Sequence, residues 1–224
     1  DIGVTGVQTC ALPILWKPDI PILPNNKTGS LARLRNLVKR LERSPELLNE
    51  CKNIIKEQEE EGIIEKAPEE ALGKEFYLPF KPVVRKSAES TKTRLVYDGS
   101  AKATCTSPSL NECLETGPPL QKLLFDITAR NRFYPVTLTG DIKKAFLSIR
   151  IREEDRDALR FHFIEPNDPN NTIVYRFKRA LFGLNQSPFL LGGALEHHLS
   201  SYESQFPTEI DEIKRSLYVD DIIL

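Results

Sequence analysis

The most constraining feature is Tyr218-Val219-Asp220-Asp221, followed by the apolar run Ile222, Ile223 and Leu224. An aromatic and a β-branched residue, two adjacent acids, then more β-branched residues spell strand, tight turn, strand. Two carboxylates at one hairpin tip repel each other unless a cation lies between them. A divalent metal answers that need, because Mg²⁺ prefers carboxylate oxygens and leaves positions open for phosphates. A solvated turn is the alternative, since aspartate is common in turns without any metal.

Composition leaves that choice open. The 31 basic and 32 acidic side chains among 224 residues give a net charge of −1, so a nucleic-acid surface has to come from local clustering. Cys10, Cys51, Cys105 and Cys113 form no CxxC pair, and His162, His197 and His198 lack zinc-finger spacing. Free thiols, the absence of a signal-peptide pattern and the lack of a bilayer-length apolar run imply an intracellular protein with no membrane partner.

Residues 1–14 have no helical or strand periodicity and resemble the translation of a sequencing-library adapter. They are expected to be a non-native leader that contributes nothing to the fold, with a genuine flexible arm as the alternative. Residues 15–130 and 131–224 then divide the remainder.

Pro18, Pro21 and Pro24 make an extended lead-in. Ser30 is expected to cap a helix whose Leu31, Leu34, Val38 and Leu41 share one face, with Arg33, Arg35, Lys39, Arg40 and Arg43 on the others. That basic surface could contact a nucleic-acid backbone or simply be a wet face. Ser44-Pro45-Glu46 starts a second helix ending near Gly62. Short strands are expected between Ile63 and Val84 and over Thr93–Tyr97, and a helix opening at Pro118-Pro119. A strand over Tyr134–Asp141, a hairpin pairing Arg160–Ile164 with Thr172–Phe177, and a helix from Pro188 follow. If the strand ending at Asp141 neighbours the hairpin tip, Asp141, Asp220 and Asp221 converge, which suits two-metal phosphoryl transfer.

The order of motifs resembles reverse transcriptases, most closely those of BEL/Pao long-terminal-repeat retrotransposons, from about Trp16 to Leu224. The resemblance is carried by Leu23-Pro-Asn-Asn26, Tyr77-Leu-Pro79, Thr93-Arg-Leu-Val-Tyr-Asp-Gly-Ser-Ala-Lys102 and Ser109-Leu-Asn111. Asp141-Ile-Lys-Lys-Ala-Phe146, Glu153-Glu-Asp-Arg-Asp-Ala-Leu-Arg160, Leu181-Phe-Gly-Leu184 with Ser187-Pro188, and the final YVDD complete it.

It implies an α+β right-hand polymerase fold, with fingers in residues 15–130, an antiparallel palm sheet packed on helices in residues 131–224, and no thumb. Asp141, Asp220 and Asp221 match the catalytic, metal-binding aspartates, and Ile142 the position whose backbone carbonyl faces a metal. Arg94 matches the arginine that lies against the incoming triphosphate. Lys86 or Arg85 matches a fingers lysine. Phe146 matches the aromatic under the sugar, with core packing as the competing role. Gly183, Ser187 and Pro188 match the motif behind the nascent base pair, where Phe182 replaces the glutamine of retroviral enzymes. Tyr218 would support the primer terminus.

Implied partners are an RNA or DNA template with primer, a deoxynucleoside triphosphate, and Mg²⁺ or, as a substitute, Mn²⁺. The implied parent is a polyprotein of a cytoplasmic virus-like particle, with ribonuclease H and integrase beyond this stretch, so that the fragment alone is expected to be inactive. A truncated or domesticated nucleic-acid-binding remnant is the alternative. Another palm polymerase, such as an intron-encoded enzyme, fits less well, because Leu181-Phe-Gly-Leu184 and Tyr77-Leu-Pro79 weigh against it.

Overall fold

The computed structural model describes residues 11–19, 23–84, 93–165 and 168–224. Helix α1 spans Lys27–Leu41 and starts four residues earlier than a cap at Ser30 predicts. Asn26 precedes it, and its side chain is engaged elsewhere. The amide donates to the Tyr77 carbonyl (2.6 Å) and its oxygen accepts the Tyr77 N–H (2.8 Å). Ser30, freed from capping, is buried on the inner face with Leu34, Leu37 and Leu41. Helix α2, Pro45–Glu60, begins with its proline in the first turn, as Ser44-Pro45 predicts. It ends beside Gly62, whose φ of 65° only glycine adopts freely.

Strand β1 (Ile64–Lys66) follows, then β2 (Phe80–Val84) and β3 (Thr93–Tyr97), the short helices α3 (Leu110–Cys113) and α4 (Leu124–Asn131), and β4 (Thr139–Asp141). Helix α5 (Ala145–Ser148) and a 3₁₀ turn (Glu153–Leu159) lead into β5 (Arg160–Glu165) and β6 (Asp168–Phe177). Helices α6 (Ser187–Ser201) and α7 (Pro207–Ser216) precede β7 (Leu217–Tyr218) and β8 (Asp221–Ile223). Among the described residues these strands form three antiparallel sheets, ordered β1-β6-β5, β2-β3 and β4-β8-β7. The class is α+β. Among the described residues no helix is long and apolar enough to cross a membrane.

The core is aromatic where two sheets meet. Tyr97 on β3 lies edge-on to Phe161 (5.1 Å) and Phe177 (4.8 Å), and Phe80 on β2 reaches Phe163 (5.9 Å). Such pairs add about 0.5–1.5 kcal/mol each beyond area burial, and they fasten β2-β3 onto β5-β6.

Under the same sheet lies a buried ionic cluster. Asp157, fully buried, accepts from Arg160 Nε (2.9 Å), Arg176 Nη1 (3.3 Å) and the Leu72 N–H (2.8 Å). Arg160 and Arg176 are direct cross-strand partners, so two cations face each other and require the anion between them. Glu75 and Glu65 complete the set, at 3.2 Å from Arg160 and 2.8 Å from Arg176.

His162, between them in sequence on β5, is 3% exposed and stacks on Tyr77 with ring centres 4.5 Å apart. Its Nδ1 lies 3.3 Å from the Ser30 hydroxyl. Burial, reinforced by the Lys27 charge and only partly offset by Glu75, pushes the imidazole from 6.5 down to about 4. The unfolded chain takes up this proton near pH 6.5, the folded chain only near 4. The contribution is therefore complete above 6.5 and is lost as pH falls toward 4, on the order of 2–3 kcal/mol. His162→Gln is expected to flatten the fall in melting temperature over that window relative to the parent. Parallel pH curves for the two proteins would refute it.

Three expectations need correction. Residues 118–123 are irregular and α4 begins only at Leu124, because paired prolines at 118 and 119 supply no N–H and hold the chain extended. The strand expected from Tyr134 is confined to Thr139–Asp141. Its pairing with β8 extends only through the reciprocal Leu138–Leu224 bonds (2.7 and 2.8 Å), and Val136 and Leu138 remain 68% and 65% exposed. The leader does contribute: Leu12 pairs with Ile151, and Ile14 is 3% exposed with its N–H on Asp155 Oδ2 (2.9 Å). Residues 1–10 lie outside the described residues.

Candidate active site

The hairpin expected at residues 218–222 is present as β7, a two-residue turn and β8. Val219 in the turn has φ 58°, the left-handed region that a β-branched residue enters at about 1–3 kcal/mol. Across the sheet Asp141 is the register partner of Asp221, and Tyr218 pairs with Asp221 from the other side. Direct partners share a face, so Asp141, Asp221 and Tyr218 project together. Asp220 occupies the turn, and its carbonyl accepts the Ile142 N–H (2.8 Å), tying the residue after Asp141 to the hairpin tip.

The electrostatics follow from this placement. Burial first, then the neighbouring Asp221 and Asp141 charges, push the Asp220 carboxyl above its ordinary range, with a hydrogen bond from its own N–H opposing them. No lysine or arginine pairs with any of the three among the described residues. Lys144, three residues beyond Asp141, is held by Glu61 at 2.6 Å. Among the described residues no group of three or more His, Cys, Asp or Glu side chains is closed up enough to hold an ion. The facing pair Asp141/Asp221 and the repelled Asp220 supply hard carboxylate oxygens, the donor chemistry that a divalent ion of the Mg²⁺ type prefers.

A second group lies around the loop at residues 181–187. Phe146 on α5 is 3% exposed, and its ring centre is 4.3 Å from that of Phe182, tilted 60°. Phe182 is 61% exposed. Gly183 has φ 92°, and a Cβ there would lie 3.2 Å from the Tyr97 carbonyl, so the loop runs against the end of β3. Ser187 donates its hydroxyl to the Leu181 carbonyl (2.7 Å), closing the loop, and Pro188 sits in the first turn of α6.

Asn111, in the Ser109-Leu-Asn111 segment, holds this loop. Asn111 donates to the Gly183 carbonyl (2.8 Å) and its Oδ1 accepts the Asn185 N–H (3.1 Å). Asn111 is itself fixed by the capping box of α3, in which Ser109 and Glu112 satisfy each other's N–H groups. Lys102 and the Ser109 N–H lower the Glu112 carboxyl to about 2. The Ser-x-x-Glu spacing at 109–112 was the readable signal. Buried Gln186 likewise accepts the Leu15 N–H (2.6 Å), which no local pattern announces.

Arg94 faces solvent on β3 opposite Val83, without an acidic partner among the described residues, and no contact ties it to either group. Lys86 and Arg85 lie outside the described residues. On α1, Arg33 pairs with Asp98 (2.9 Å), whereas Arg35, Lys39 and Arg40 are exposed.

No curated protein matches the chain. A family profile does, over residues 84–224, a stretch that contains β3, the Asn111-braced loop, Asp141 and the carboxylate hairpin. With that match covering well over half its length, the chain belongs to the reverse transcriptase (RNA-dependent DNA polymerase) family.

Proposed function

We propose that the chain is the fingers and palm of a BEL/Pao-type retrotransposon reverse transcriptase, with Asp141, Asp220 and Asp221 as its catalytic, cation-binding carboxylates. The observation carrying this reading is the uncompensated acid set: Asp141 in register with Asp221, and Asp220 feeling the charge of both. The reaction joins the primer 3′-oxygen to the α-phosphorus of a deoxynucleoside triphosphate. The bond to the bridging oxygen breaks, pyrophosphate leaves, and the hydroxyl proton passes to solvent. Mg²⁺, or Mn²⁺ in its place, would when bound acidify the hydroxyl and offset charge on the pyrophosphate. The chain's own residues position: the Ile142–Asp220 bond fixes the hairpin against β4, and Tyr218 shares the carboxylates' face as a primer support. Gly183, Ser187 and Pro188 shape the wall behind the base pair. Arg94, with Lys86 or Arg85, would meet the triphosphate.

The test is single-nucleotide addition to a primer on an RNA template by the polyprotein-derived enzyme, parent against Asp141→Asn. A loss of about a thousandfold or more is expected, the scale on which removing one charge-stabilising group acts. Duplex binding with no metal-dependent addition in either protein would identify a non-catalytic remnant instead.

Phe146 is proposed as the gate against ribonucleotides. Its ring is held by burial on one side and Phe182 on the other, so it cannot yield to an extra hydroxyl without repacking. Phe146→Val is expected to raise ribonucleotide relative to deoxynucleotide use. Equal loss with both substrates would assign the ring to packing alone.

A further inference from the structure

Beyond the carboxylates, the segments entering and leaving this region carry a pair of arginines with no acidic partner among the described residues. Arg150, just past α5, and Arg179, just past β6, are antiparallel bridge partners. The flanking bonds are Ile151 N–H to the Lys178 carbonyl and Ala180 N–H to the Ile149 carbonyl, each 2.9 Å. That pattern makes the arginines a non-hydrogen-bonded pair, the cross-strand position where side chains come closest. Like charges there are destabilising.

The neighbouring acids are committed elsewhere. Asp155 takes the Ile14 N–H and the Trp16 indole, and Glu65 serves Arg156 and Arg176. Arg179 spends one N–H on the Ser148 carbonyl (3.2 Å). Among the described residues neither arginine has an acidic partner. Burial, with the charges of Arg150 and Arg156, draws the Arg179 guanidinium below its ordinary range, which a stable isolated surface arginine would not show.

Resting on the reading of the chain as a reverse transcriptase, we propose that Arg150 and Arg179 form a binding site for the phosphate backbone of the template–primer duplex. Two adjacent guanidiniums present paired planar donors suited to phosphodiester oxygens. The position is appropriate as well. Arg150 lies nine residues after Asp141, so the two are at most about 30 Å apart, within about nine base pairs of duplex. The backbone between them runs through Phe146, and Arg179 leads directly into the Phe182–Gly183 loop. A duplex whose primer end meets the carboxylates thus has phosphates available for this pair.

The test is duplex binding followed by fluorescence anisotropy, with an RNA·DNA hybrid of about 20 base pairs titrated between about 50 and 200 mM salt. Arg150→Gln and Arg179→Gln are each expected to weaken binding about threefold to tenfold and to reduce the salt slope by about one, with the double variant losing about two. Lys56→Gln, on the exposed face of α2, is expected to change neither. Thermal melts separate this role from a structural one: Arg150→Gln relieves repulsion and should melt no lower than the parent. Unchanged slopes in the double variant, with the parent still binding duplex, would overturn the site but not the reverse-transcriptase reading. Equal competition by free deoxynucleotide would assign the pair to the nucleotide and overturn it too. A parent that binds no duplex would overturn both.

Discussion

Asp157→Ala is expected to lower stability by about 3–5 kcal/mol, which in a domain of this size is a fall in melting temperature of roughly 10 °C or more. The carboxylate is fully buried between Arg160 and Arg176, whose side chains are only 2% and 5% exposed. Without it the two guanidiniums face each other across β5 and β6 in direct register, in surroundings too dry to screen them. Glu75 and Glu65 cannot substitute, since each pairs with only one of the two arginines. The Leu72 N–H loses its acceptor as well. Asp157→Asn keeps the shape and one acceptor oxygen, so its cost should be smaller but of the same sign. Adding Arg176→Met to Asp157→Ala should recover part of the loss by removing one unpaired charge. Chemical denaturation of the three variants checks the series. An alanine variant within about 0.5 kcal/mol of the parent would mean the cluster carries no net stabilisation.

How much of this was legible in the sequence depends on how local its cause is. Ser44-Pro45 and Gly62 bracket α2 because an N1 proline and a left-handed glycine act within a few residues, although the Ser44 side chain makes no capping bond. Thr93–Tyr97 alternates buried and exposed as a half-covered strand should. The carboxylate hairpin was readable for the same reason, but no local pattern says that the strand ending at Asp141 lies beside it, and the Asp141–Asp221 register comes from the fold. The misplaced boundaries have non-local causes. Asn26 takes the helix start from Ser30 because its side chain is clamped to Tyr77, and Ser30 is needed against His162. Ile14 finds its partner in Asp155, more than a hundred residues on, which no periodicity in the first 14 residues records. The role of Asn111 escaped for a similar reason: an asparagine in a short helix gives no hint of the loop it braces.

Asp220→Asn is expected to abolish metal-dependent nucleotide addition while raising the melting temperature of the metal-free protein. The two effects have one origin. Burial and the charges of Asp221 and Asp141 hold the Asp220 carboxyl above its ordinary range, so its ionised form is disfavoured in the fold. A group raised in this way stabilises the fold when protonated, and that contribution is lost as pH rises through its folded value. The ionised parent therefore carries this repulsion, and a neutral amide of the same shape removes it. Divalent cation should separate the two proteins. Binding to the folded parent raises its melting temperature in proportion to the logarithm of cation concentration, and the variant should show little of that rise. Chelation would then return the parent to its lower, repelled state. Scanning calorimetry of both proteins near neutral pH, with Mg²⁺ or with chelator, measures all four quantities. A variant that melts lower than the chelated parent would show that Asp220 is a structural turn residue. A parent indifferent to Mg²⁺ would remove the cation from the site altogether.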